Sequence, residues 1–424
     1  MRTDGTARLR AMAERYRRPD WVRRLNAMAD AVGGDARRIV PLDAAELLDE
    51  AERSLGEHTS GDFGDPAWRT RFTQLAAALD ASTMHVVGRL MTRQELLRAL
   101  RTRFLLAREL DQNPRIADER IAAPVIVTGP ARSGTSILFE LLALDPEMRA
   151  PLACEGLHPL PRRPAGECGT RRAWSECEQE LWTDVQPEFA AMHELRSDLP
   201  VECVTLTIPS FCGPHWQMIA QVGDWTPDVE TMYGFHRRLL QVLQYGEPPR
   251  TWLLKTPAHL MTLESLFATY PDVWVVQTHR DPAKTMPSTV STTALVQWMR
   301  TDHVDVPLLA QTIEMVFSYG LNHSVELRTG GPVADRFVDV HFDGLMRDPV
   351  QTLTGAYAVM GRSLRPSHAE RIRAYLRDKP KGKFGIHQYA PEDWGFTAES
   401  LRTALAPYIE YFDVALEDTG VTDT

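Results

Sequence analysis

Lysine is almost missing from this chain. Of its 47 basic residues, only Lys255, Lys284, Lys379, Lys381 and Lys383 are lysine, and all five fall in the second half. Each therefore carries more information than a typical arginine here, with chance placement as the competing explanation. Long apolar runs are lacking too: no window reaches the ~18 apolar residues of a membrane span. The N-terminus has no apolar signal core; Arg2, Arg8, Arg10, Arg15, Arg17 and Arg18 are mixed with acids. A targeting segment is one reading of it, but the acids and the break at Pro19 favour a solvated amphipathic helix. A basic surplus is also absent. The net charge of −10 argues against general nucleic-acid binding and leaves room for one local basic pocket. Cysteine is sparse, at Cys154, Cys168, Cys177, Cys203 and Cys212. None forms a CxxC pair, which counts against a zinc site, and an odd number without a signal segment predicts reduced thiols in the cytoplasm. No metal-ligand cluster, internal repeat or low-complexity tract is visible.

What remains is an ordinary globular composition, 43% hydrophobic and 25% charged. The length of 424 residues suits roughly two to three domains, or one large domain with insertions. Residues 1–120 read as mostly helical, with a cap-like Asp43 and helical apolar spacing over Phe72–Leu79 and Val86–Leu110. They predict a helical cap or a dimerisation segment, the latter implying a homo-oligomer. Residues 121–424 carry the motifs.

Gly129-Pro130-Ala131-Arg132-Ser133-Gly134-Thr135-Ser136 has the glycine spacing and final hydroxyl of a Walker A loop, with Thr135 where the lysine should stand. It follows a short apolar strand at 123–128 and precedes a helical pattern at 137–144. Strand, glycine loop and helix form a phosphate cradle, because loop N–H groups and the positive helix end converge on an anion. Without the lysine, the usual ATP chemistry is not implied. A second unit runs from Thr251-Trp252-Leu253-Leu254 through Lys255-Thr256-Pro257 to a helix predicted over Ala258–Thr269, then a strand at 273–278. A further strand is expected at Phe337–His341. Continuous apolar strands joined by helices predict an α/β, P-loop-type three-layer fold around a parallel sheet. Ligands then sit beyond the carboxyl ends, where Gly129, Lys255 and Arg280 all fall. Between the units, residues 151–250 are rich in aromatics and form a helical insertion. His193, Trp216, Trp182 and Tyr233 are its candidate pocket residues, against the plainer reading of a subdomain core.

The loop Ala131-Arg132-Ser133-Gly134-Thr135-Ser136, the segment Lys255-Thr256-Pro257-Ala258-His259, and His279-Arg280-Asp281-Pro282 with Ser288 together resemble the sulfotransferases that use 3′-phosphoadenosine 5′-phosphosulfate (PAPS). The bacterial branch and the tyrosylprotein and heparan sulfotransferases are the most similar. Pro200-Val201-Glu202-Cys203, Asp343-Gly344-Leu345-Met346-Arg347-Asp348-Pro349 and Gly385-Ile386-His387-Gln388-Tyr389 extend the likeness, which spans about residues 120–415. It implies that Arg132, Ser133, Gly134, Thr135 and Ser136 hold a 5′-phosphosulfate, with Ala131 in place of the family's proline. It implies that Arg280 and Ser288 grip a 3′-phosphate. Lys381-Gly382-Lys383 resembles a late clamp on that phosphate, and a solvated basic loop explains it equally.

Sulfuryl transfer by in-line displacement needs positioning and charge stabilisation more than covalent chemistry, by analogy with phosphoryl transfer. Arg132 suits the phosphosulfate and Lys255 the bridging oxygen where charge develops. The resemblance makes Glu155 the first candidate for the general base, with a capping acid as the structural alternative. His259 is the second candidate, displaced from the family's usual place by Pro257, and His193 the third. The aromatic insertion points to a small-molecule or lipid-like hydroxyl acceptor. Two rival readings stand beside this one: a P-loop kinase, supported by Ser136 at the magnesium position, and a non-catalytic nucleotide-binding protein.

Overall fold

The computed structural model describes residues 16–56, 60–164, 166–192, 194–379 and 390–418. At its centre five parallel strands are ordered β2-β3-β1-β4-β5. They are β1 (Val125–Thr128), β2 (Met148–Arg149), β3 (Thr251–Lys255), β4 (Trp274–His279) and β5 (Phe337–His341). The α/β reading is borne out, and the four longer strands lie where their apolar runs predicted them. Strand β2 has two residues and no such run, so pattern reading missed it.

Alternation along the strands explains the layers. Ile126, Leu254 and Val275 face a large apolar cluster that also takes Phe72, Leu96 and Trp216. Val125, Val127, Leu253, Val276 and Val338 face a second cluster with Leu138, Leu142, Leu353 and Ile372. The longer helices are α1 (Ala44–Leu55), α2 (Trp68–Ala81), α3 (Val86–Gln112), α4 (Thr135–Ala143), α5 (Thr170–Val185), α6 (Val229–Gln244), α7 (Pro282–Trp298), α8 (Val306–Gly330), α9 (Pro349–Val359) and α10 (Pro366–Asp378). Helix α1 starts as expected, with the Asp43 carboxylate accepting from the Glu46 N–H at 2.9 Å. The helix predicted over Ala258–Thr269 is instead a 3₁₀ turn, Pro257–Met261, followed by Leu263–Thr269. The turn is closed by i+3 bonds from His259 N to Thr256 O and from Thr262 N to His259 O.

Helix α3 is bound to the rest of the chain by buried charge. The Glu95 carboxylate accepts from Arg300 Nη2 at 2.7 Å and faces His215 Nε2 at 3.1 Å, and Arg300 Nη1 donates to Thr92 Oγ1 at 3.0 Å. Burial works against ionisation of Glu95, but Arg300 and His215 hold its carboxyl below the usual carboxylate range. One correction concerns cysteine. Cys154 and Cys168 are joined as a disulfide, with Cα atoms 6.0 Å apart, so these two are not the reduced thiols expected. Buried Arg171 brings them together by donating to the carbonyls of His158, Pro159, Glu167 and Cys168.

Removing one partner from a buried ion pair strands the other, which costs about 3–5 kcal/mol. Glu95→Ala is therefore expected to lower the unfolding free energy by about that amount, read from urea denaturation. A loss under about 1 kcal/mol would show that the network does not tie α3 down.

Candidate active site

The parallel sheet brings the carboxyl ends of β1, β3 and β4 to one edge. After β1 the chain turns at Gly129, whose φ is 140°; a Cβ there would lie 2.1 Å from Thr278 Oγ1. Only glycine lets the loop pass this close to β4. Arg132 has a left-handed φ of 65° and Gly134 one of 91°, which together curl the loop over the start of α4. Ser133 is fully buried; its hydroxyl donates to Pro130 O and pairs with Thr278 Oγ1, both at 2.5 Å. No side chain caps α4, so its first N–H groups face a prospective anion.

Lys255, the last residue of β3, is 3% exposed. Its Nζ donates to Ser136 Oγ at 3.1 Å and to Glu202 Oε1 at 2.5 Å, while Thr256 Oγ1 donates to Glu202 Oε2 at 3.2 Å. Glu202 reaches this place because the 200–201 segment pairs across 151–152: Leu152 bridges Pro200, and Val201 N donates to Pro151 O at 2.8 Å. Glu155, by contrast, is turned away from Lys255. Its carboxylate accepts from Arg149 Nη2 and from Leu152 N, each at 3.0 Å, and Arg149 lies 4.5 Å over the Trp252 ring. The unforeseen strand β2 supplies Arg149, and this buried pair commits Glu155 to structure. The acid near Lys255 is Glu202, which sequence reading quoted within Pro200–Cys203 and gave no role.

Arg280 follows β4. Glu417 holds it with two bonds, Nε to Oε1 at 2.6 Å and Nη2 to Oε2 at 2.8 Å, and Nη1 donates to Arg132 O at 2.7 Å. The guanidinium also lies 3.8 Å over the Phe342 ring. Asp281 caps α7 through Ala283 N and fastens the C-terminal segment by accepting from Glu417 N at 2.9 Å and from Arg402. Ser288 is fully buried on α7, and its Oγ has no partner among the described residues.

A cavity of about 1550 Å³ unites these parts, lined by Arg132, Gly134–Ser136, Lys255, Glu202 and Arg280. Its apolar wall includes Met218, Met232, Met261, Ile313, Val316 and Phe317. Tyr233 and His259 line it as well. Trp216 and Trp182 do not. Trp216 is fully buried against Phe211 and His215, and Trp182 packs on Phe189 under the Arg300 guanidinium. The aromatics of the insertion mainly build its core, and methionines with α8 supply the apolar wall. His193, Lys381, Gly382 and Lys383 lie outside the described residues. Among the described residues no cluster of three or more metal-ligating side chains occurs, and no helix is long and apolar enough to cross a membrane.

His259 is a poor candidate base. Its Nδ1 is bonded to Tyr233 Oη at 2.7 Å, and burial, with His236 nearby, pushes its pKa down to about 3. His236 is likewise depressed to about 3 by burial. An unfolded histidine takes up a proton near pH 6.5, whereas these two stay neutral until about pH 3. The unfolded state thus binds more protons between those limits, and stability falls as pH falls through that window. Each of the two should cost about 1.4 kcal/mol per pH unit below about pH 6. Urea unfolding at pH 7, 6 and 5 is expected to show the decline; a flat profile would mean that the imidazoles are not neutral and buried.

Comparison with known proteins places this geometry. A sequence model described as "Sulfotransferase family" matches residues 124–366. The omega-hydroxy-beta-dihydromenaquinone-9 sulfotransferases Stf3 of Mycobacterium bovis and Mycobacterium tuberculosis are each 25% identical over 291 residues, covering 66% of this chain and 73% of the relative. The crystal structure of sulfotransferase STF9 from Mycobacterium avium superposes with a TM-score of 0.77 at 24% identity, over 88% of this chain and 97% of that one. Sulfotransferase STF1 from Mycobacterium tuberculosis superposes at 0.69 and 26% identity, over 85% of this chain and 98% of that one.

Proposed function

We propose, from the premise that the chain belongs to the sulfotransferase family, that it moves a sulfuryl group from PAPS to a hydroxyl on a long, lipid-like acceptor. One observation carries the reading: Lys255 Nζ stands between Ser136 Oγ of the anion loop and the Glu202 carboxylate. A single cation thereby joins the donor site to a candidate base.

The residues present fit such a donor. The Gly129 turn, tolerating no Cβ, and the uncapped start of α4 make a cradle for the 5′-phosphosulfate, with Arg132 beside it. Arg280 and the orphaned Ser288 hydroxyl provide for the 3′-phosphate. Glu417 holds that arginine meanwhile, so its carboxylate leaves when the phosphate arrives. PAPS supplies an activated sulfuryl group; the chain supplies alignment and charge. Glu202 takes the acceptor hydroxyl's proton as that oxygen bonds to sulfur. Lys255 turns from Glu202 to the bridging oxygen and stabilises the charge left there as its bond to sulfur breaks. This exchange frees the base when the donor is in place.

The apolar wall supports a lipid-like acceptor, in keeping with relatives named for an omega-hydroxylated menaquinone. The kinase alternative is weakened by the same lysine. Ser136 Oγ, the magnesium ligand of that reading, already accepts from the Lys255 ammonium at 3.1 Å.

Adenosine 3′,5′-bisphosphate should bind the wild type at micromolar concentration in calorimetry, and Arg280→Ala should weaken it at least tenfold. No binding to the wild type, or magnesium-dependent ATP turnover abolished by chelator, would overturn the reading. In sulfate transfer from labelled PAPS to an omega-hydroxylated polyprenyl quinone, Glu202→Gln is expected to lower kcat by roughly 10²–10⁴ with nucleotide affinity nearly unchanged. Full activity in that variant would remove Glu202 from the role of base.

A further inference from the structure

Lys284 has no part in the proposed transfer, yet its position is electrostatically unfavourable. It is 9% exposed and lines the main cavity, and its ammonium makes no hydrogen bond or ion pair among the described residues. It also lies in the first turn of α7, where the positive end of the helix dipole repels a cation. Two neighbouring hydroxyls share the predicament. Thr285 Oγ1 and Ser288 Oγ are buried without partners, and Ser288 is four residues on, over the same face as Lys284. Of the three, Lys284 reaches the cavity lining, with Ser288 buried one turn behind it, in a chain with five lysines in all.

We propose that Lys284 is a second cationic ligand of the donor's 3′-phosphate, binding it together with Arg280 and Ser288. The inference rests on the PAPS reading above and assigns a residue that the sequence likeness leaves out. Charge balance supports it. In the unliganded chain Arg280 is neutralised by Glu417, whereas Lys284 has no ion pair among the described residues. A phosphate monoester carries about two negative charges near neutral pH. When it displaces the single carboxylate, Arg280 alone leaves one charge unmet, and Lys284 meets it. Place agrees with charge, since Arg280 immediately precedes the Asp281 cap of α7 and both cations line one cavity.

Lys284→Met, nearly isosteric, is compared with the wild-type full chain by calorimetry and thermal unfolding. The two ligands are adenosine 3′,5′-bisphosphate and adenosine 5′-monophosphate, which lacks the 3′-phosphate. The variant is expected to bind the bisphosphate about 10- to 100-fold more weakly and the monophosphate within about twofold of wild type. Its unliganded melting temperature should equal or exceed that of the wild type, because a cation has been removed from the positive end of α7. Lys284→Arg should keep most of the bisphosphate affinity. Unchanged bisphosphate binding by Lys284→Met, or equal losses for both nucleotides, would overturn the proposal while leaving the PAPS reading standing. Failure of the wild type to bind the bisphosphate would overturn both.

Discussion

Parallel pairing of β1 with both β3 and β4 is the constraint on which the rest of the molecule depends. Val125 pairs with Leu253 on one side and with Trp274 on the other, which fixes the three strands in register. Because they run the same way, their last residues open onto one edge. The Gly129 loop, Lys255 and Arg280 come from sequence positions up to about 150 residues apart, yet they line one cavity. The close approach of Gly129 to Thr278 Oγ1 then locks the loop against β4. Antiparallel pairing, or a slip of one residue, would scatter these groups or turn them to another face.

Electrostatics adds a second theme. Two cations of the site are held by the protein's own carboxylates: Lys255 by Glu202 and Arg280 by Glu417. Each pair satisfies a cation that would otherwise stand unpaired in a largely apolar cavity, and each is open to exchange with a better anion. Release has a different consequence for each carboxylate. In the proposed transfer, freed Glu202 accepts the proton of the acceptor hydroxyl. Freed Glu417 belongs to the C-terminal segment, which Asp281 still ties to α7 through the Glu417 N–H and Arg402. Lys284, like Arg132, lines the cavity with no internal anion among the described residues.

Much of this was legible in the sequence because it is local. The glycine loop, the four longer strands and the place of Lys255 at a strand end follow from short patterns whose physics is contained within a few residues, whereas Arg280 and Ser288 were expected through the family likeness. What escaped is non-local. Glu155 and Glu202 are both acids near the loop helix, and nothing in their local sequence tells which one faces Lys255. The choice is made by a two-residue strand that brings Arg149 to Glu155, and by a bridge from Leu152 to Pro200. Trp182 and Trp216 looked like pocket residues because aromatics suit both pockets and cores; packing against Phe189, Phe211 and Arg300 decided for the core. Glu417 gave no signal, since its contact with Arg280 spans 137 residues.

In the proposed reaction one sheet edge holds both ends of a 3′-phosphorylated nucleotide by exchanging internal carboxylates for phosphates. A crystal structure of the full chain with adenosine 3′,5′-bisphosphate tests it most directly. The 5′-phosphate is expected on the N–H groups of the Gly129–Ser136 loop. The 3′-phosphate is expected within hydrogen-bond distance of Arg280, Ser288 and Lys284, with the Glu417 carboxylate turned away. A nucleotide bound elsewhere, or a 3′-phosphate excluded by Glu417 still paired with Arg280, would contradict it.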